Sequence, residues 1–107
     1  MWPKGTVKAE YYQPVVSDVP TLVLSGDVDP VTPPVWGASV VKHLSRGRHI
    51  VVPSTGHGVV STPCGNHLVN DFIARASAEG LNTDCVASVR RPPFFVTPAG
   101  PDPTETR

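Results

Sequence analysis

An α/β fold with parallel strands is predicted by three features of this sequence. Two runs too short for helices, Thr21-Leu22-Val23-Leu24 and His49-Ile50-Val51-Val52, are rich in β-branched and apolar residues. Each is followed by a segment with apolar residues at helical spacing, and Gly26, Gly47, Pro53 and Gly80 punctuate the boundaries. The resulting order is strand, helix, strand, helix, which predicts parallel strands joined by a right-handed crossover.

Residues 1–20 read as a connecting segment. Pro3, Pro14 and Pro20 forbid a long helix, while Trp2, Tyr11 and Tyr12 are large enough to pack on a neighbour. Residues 21–89 form the α/β unit. Its first strand shows no polar alternation, as expected of a strand covered on both faces. Pro33 and Pro34 suit the first turn of a helix running to about Ser45, with Trp36, Val40, His43 and Leu44 as its inward stripe and Gly47 as its stop. The second strand ends at Pro53, and a loop from Ser54 to Pro63 follows. From about Gly65 to Ala78, Leu68, Val69, Phe72, Ile73 and Ala76 make one apolar stripe, opposite Asp71, Arg75 and Glu79, with Gly80 as the C-cap. Trp36 and Phe72 are expected in the core, His43 as a packing residue, and His49 and His67 at the surface. Residues 90–107 are a proline-rich tail, and roughly its last ten residues are expected to be disordered. Two buried parallel strands are marginal by themselves, so the unit is expected to be the edge of a larger sheet and to leave an apolar flank exposed.

Composition excludes several functions. Nine basic residues balance nine acidic ones among 107, so no general attraction to nucleic acid or anionic membrane is expected. The cluster Arg46, Arg48, His49 reads as a solvated turn. No run approaches the roughly 18 apolar residues of a membrane span, and the N-terminus lacks the layout of a signal peptide. There is no phosphate loop, no dinucleotide fingerprint and no alternation of basic and aromatic residues. His57, Cys64 and His67 match no zinc spacing, so no metal or other cofactor is expected.

The residues that carry chemistry are Asp29 and His57. Each lies in a loop past the carboxyl end of a strand, where open parallel sheets gather their functional groups. A histidine serves as a general base when an acid fixes its tautomer and stabilises its cation. Gly56 and Gly58 leave the imidazole unpacked, and Pro30 biases Asp29 away from helical angles. The third member of such a triad is missing: no serine here has a glycine both two positions before and two positions after it. The acid and the base are therefore expected to serve a nucleophile that lies elsewhere. The plainer alternative is that Asp29-Pro30 is a turn device and His57 an exposed loop residue.

Trp2-Pro3-Lys4-Gly5, Ser17-Asp18-Val19-Pro20, Ser25-Gly26-Asp27-Val28-Asp29-Pro30-Val31-Thr32-Pro33-Pro34 and Gly56-His57-Gly58 together carry a resemblance. Over about residues 2–95 the chain resembles the C-terminal part of the α/β-hydrolase family that contains tripeptidyl aminopeptidases and proline iminopeptidases, a TAP-like C-terminal domain. That resemblance implies a partial α/β-hydrolase fold consisting of the last two parallel strands, their crossover helix and the terminal helix. It also implies that Asp29 is the triad acid, His57 the general base and Asp27 a structural acid. The implied function is the C-terminal part of a serine hydrolase, aminopeptidase-like or esterase, acting on peptides or esters without a cofactor and inactive as an isolated chain. Its implied partner is the N-terminal hydrolase portion, and the parent is expected to be secreted or periplasmic. The alternative is a non-catalytic truncated module that self-associates or complements an N-terminal hydrolase fragment. Cys64 and Cys85 flank the terminal helix at a plausible bonding distance, and on the residues alone they are either bonded or free. The resemblance to exported family members implies a disulfide.

Overall fold

The computed structural model describes residue 3 and residues 5–101, so the packing expected of Trp2 falls outside the described residues. Two strands form a parallel sheet: β1, Thr21–Gly26, and β2, Gly47–Val52, run in register from Thr21 beside Gly47 to Gly26 beside Val52. Helix α1, Pro34–Val41, connects them, and α2, Pro63–Arg75, and the short α3, Asp84–Ser88, come after β2. Both strands extend beyond their apolar runs, because backbone pairing continues through Ser25-Gly26 and begins at Gly47-Arg48.

Pleating separates the side chains of the sheet into two faces. One face carries Leu22, Leu24, Ile50 and Val52. It packs with Val59, Cys64, Leu68, Val86 and Val89 into the core, where Leu68 and Val52 are fully buried. The other face carries Ser25 and His49, whose Oγ and Nε2 lie 2.9 Å apart beneath Gly37 of α1. His49 is thus half-buried and bonded, not a surface residue.

Helix α1 departs from expectation in two ways. It ends at Val41 instead of about Ser45, because the His43 carbonyl and the Ser45 N–H are both taken by the backbone of Ser17, which forces this stretch into a parallel bridge with Leu44. Its inward residues are Gly37 and Val41, continued by the buried Leu44 beyond its end, so Trp36, expected in the core, is 58% exposed; Val40 and His43 are exposed too. The sequence Pro-Val-Trp-Gly-Ala-Ser-Val-Val is apolar nearly all round, so its period did not identify which stripe faces the sheet.

Helix α2 starts two residues earlier than predicted. Thr62 is its N-cap, accepting from the Gly65 N–H at 3.0 Å, and Pro63 occupies the first turn, where its missing N–H costs nothing. The helix also stops earlier. Ala76 is the left-handed C-cap, at φ 49°, while Gly80, expected in that role, has a positive φ of 68° but lies beyond the end of the helix. This costs about 1 kcal/mol for a residue with a Cβ. The early turn offsets that cost by burying Ala78 and Leu81 and by letting Arg48 Nη1 donate to both of their carbonyls at 3.3 and 3.2 Å. The stripe is shorter accordingly: Leu68 is buried and Val69 and Phe72 half-buried, but Ile73 and Ala76 are exposed.

Cys64 and Cys85 are joined in a disulfide with a Cα–Cα distance of 5.6 Å, tying the first turn of α2 to α3. In the tail, Phe95–Thr97 pairs antiparallel with Gly100–Pro101 as β3 and β4, so the described part of the stretch expected to be disordered contains a short ladder. Residues 102–107 lie outside the described residues. No helix among the described residues is long and apolar enough to cross a membrane.

Candidate active site

Asp29 and His57 come together at the carboxyl end of the sheet. The two loops that carry them are joined before either side chain is reached: the Asp27 N–H donates to the Val52 carbonyl, the Val28 N–H to the Thr55 carbonyl, and the Thr55 N–H to Asp27 Oδ1. Asp27 is therefore a brace between loops. The close approach needs Gly26, since a Cβ there would overlap the backbone oxygens of Thr55 and Gly56. On the far side of His57, Val59 is buried in the core, and its carbonyl accepts from the Thr62 hydroxyl at 2.7 Å. The His57 loop is thus anchored at one end by β1 and at the other by the N-terminus of α2.

The Asp29 carboxylate is buried, with its side chain 4% exposed, and accepts four hydrogen bonds. Oδ1 accepts from the Val31 N–H at 2.8 Å and the Thr32 N–H at 3.1 Å. Oδ2 lies 2.6 Å from Thr32 Oγ1 and 2.9 Å from His57 Nδ1. The Thr32 hydroxyl bond is the main cause that holds the Asp29 carboxyl well below the usual carboxylate range; burial opposes it, and the Val31, His57 and Thr32 N–H bonds add to it.

His57 is the opposite case, with a side chain 63% exposed. An ionised carboxylate only accepts, so the proton between Nδ1 and Oδ2 belongs to the imidazole. In the neutral ring Nε2 is then unprotonated and able to accept a proton, and it has no hydrogen-bond partner among the described residues. Among these residues, too, no serine hydroxyl bonds to His57, and no three His, Cys, Asp or Glu side chains converge to hold a metal ion.

Sequence reading found both members of this pair and missed the group between them. Thr32 bonds Asp29 through both its backbone and its side chain, and its oxygen lies 3.1 Å from His57 Nδ1. The available signal was local: an Asp followed three residues later by Thr, just before Pro33-Pro34, is the spacing of a side-chain-bonded turn.

An Asp and a His on loops after two neighbouring parallel strands, the Asp first in the chain, follow the chain order found in the C-terminal part of α/β hydrolases. The chain belongs to the TAP-like family: residues 1–85 match the family model described as TAP-like protein. No curated protein and no solved structure matches it. The matched region includes Asp29, Thr32, His57 and both cysteines.

Proposed function

We propose that this chain is the acid-and-base portion of a serine hydrolase acting on peptides or esters, aminopeptidase-like or esterase. The carrying observation is the 2.9 Å contact between His57 Nδ1 and Asp29 Oδ2, with the acid buried and the imidazole exposed. His57 Nε2 takes the proton of a serine hydroxyl as the oxygen attacks the substrate carbonyl. Asp29 stays ionised and stabilises the imidazolium, and His57 then returns the proton to the leaving amine or alkoxide.

The serine and the oxyanion donors belong to an N-terminal hydrolase portion packed against this chain. Two observations support that partner. Val15, Val16, Val19, Val28, Val35 and Trp36 are all more than half exposed, large apolar side chains left in water that a neighbouring portion would cover. The radius of gyration is 18.2 Å, against about 13 Å for a compact domain of this length. The disulfide supports a secreted or periplasmic parent, since such bonds persist in oxidising compartments. The same exposed flank also favours the alternative, a non-catalytic module that self-associates or complements a hydrolase fragment.

Complementation separates the two readings. The reading frame upstream of Met1 is expected to encode a Gly-x-Ser-x-Gly elbow, and the product with this chain should hydrolyse aminoacyl or ester chromogenic substrates. His57→Ala should lower kcat by about 10⁴-fold or more. Turnover indifferent to that change, or no hydrolysis from a folded assembly, leaves the non-catalytic module.

A further inference from the structure

We propose that Thr32 is a positioning residue for His57: its hydroxyl donates to Asp29 Oδ2 and presents its oxygen to Nδ1, fixing the imidazole in the Nδ1–H tautomer with Nε2 as the free acceptor.

The assignment rests on counting hydrogens. The Thr32 hydroxyl has one proton, and the 2.6 Å contact with Oδ2 takes it, because the carboxylate has none to give. Toward His57 Nδ1, at 3.1 Å, Thr32 Oγ1 therefore offers only a lone pair. Nδ1 thus faces two acceptors, Oδ2 at 2.9 Å and Oγ1, and both require the proton on Nδ1. Little else holds the ring. It is mostly exposed and flanked by Gly56 and Gly58, so packing does not select its orientation.

The turn and the hydroxyl are separable. Asp29 Oδ1 is bound by the backbone N–H groups of Val31 and Thr32, which any residue with an N–H at position 32 retains. Thr32 itself is exposed, so its side chain contributes little packing. Thr32→Val therefore keeps the shape and the turn while it removes the donor to Oδ2 and the second acceptor at Nδ1.

The test is NMR of the full chain labelled with ¹⁵N-histidine, comparing wild type, Thr32→Val and Thr32→Ser. In wild type and T32S, His57 should give the nitrogen shifts of the Nδ1–H form. In T32V, which keeps the Asp29 acceptor but loses the second one, the Nδ1–H population should fall, so that the shifts move part of the way toward the Nε2–H form, and the Asp29 carboxyl titration should rise toward its ordinary 3.8, with no such rise in T32S. Thr32→Ala, which removes the hydroxyl with less bulk, must give the same shifts if T32V fails to fold. A T32V chain with the wild-type tautomer, a T32S chain that behaves like T32V, or a wild type with no tautomer preference would each overturn the assignment.

The consequence for catalysis rests on the general-base reading. In the complemented hydrolase T32V should lower kcat about 10- to 100-fold with KM little changed, and T32S should restore most of it. The two failures are distinct. An unchanged tautomer in T32V, with hydrolysis still lost in His57→Ala, removes only the role of Thr32. A shifted tautomer with hydrolysis indifferent to His57→Ala removes the hydrolase reading instead.

Discussion

The two faces of the sheet are built differently. On one, Leu22, Leu24, Ile50 and Val52 meet Leu68, Val59 and the disulfide-tied start of α2, and the contact is apolar and closed. On the other, α1 lies over a polar pair, Ser25 and His49, while Val35, Trp36 and Val40 point away from the sheet into solvent. One surface is closed, and the other leaves apolar side chains exposed. The α2 face holds the fold and, through Val59 and Thr62, the His57 loop. The α1 flank has apolar side chains with no core to enter.

That contrast breaks most visibly at single core residues. Leu68→Ala, at a fully buried position, should cost about 2–5 kcal/mol in urea unfolding, whereas Trp36→Ala, for all its bulk, should stay within about 0.5 kcal/mol in the isolated chain. Equal losses would mean that α1 shares the core after all. Reduction of the Cys64–Cys85 bond, which spans a sequence separation of 21, should cost about 3 kcal/mol by removing a constraint on the unfolded chain. Reduced and oxidised chains with the same urea midpoint would show that the helices on this face hold together without it.

The smallest effect concerns acid. The folded Asp29 carboxyl is held below its ordinary value of 3.8, so its contribution to stability is fully present above that pH and is lost as pH falls below it. Between about pH 5 and about pH 3 the wild type should lose stability more steeply than Asp29→Asn, measured as the shift of the urea midpoint. Parallel shifts in the two proteins would show that the carboxylate gains nothing from its four partners.

Much of this fold was legible because its signals are local. The strands at Thr21–Leu24 and His49–Val52 announced themselves by β-branched runs, and the loops after them placed Asp29 and His57 together by the general behaviour of parallel sheets. The contact of Thr32 with His57 escaped because it depends on a ring brought from 25 residues away. The C-cap of α2 was misplaced for a similar reason. Gly80 is the intrinsically favoured residue, but the burial of Ala78 and Leu81 beside Arg48 demands an earlier turn, and Ala76 bears the strain.

The sequence by itself determined the order of elements and the two loops that carry Asp29 and His57, because periodicity and turn chemistry act over a few residues. Only the tertiary structure decided which stripe of α1 faces the sheet, where each helix ends, and that Thr32 lies between Asp29 and His57. Those outcomes depend on contacts between segments distant in the chain. Gly37 gives α1 its close approach to Ser25 and His49, and Ser17 takes the bonds that would have prolonged the helix. Where a segment is apolar on every side, as α1 is, only the surface it meets can choose among its faces.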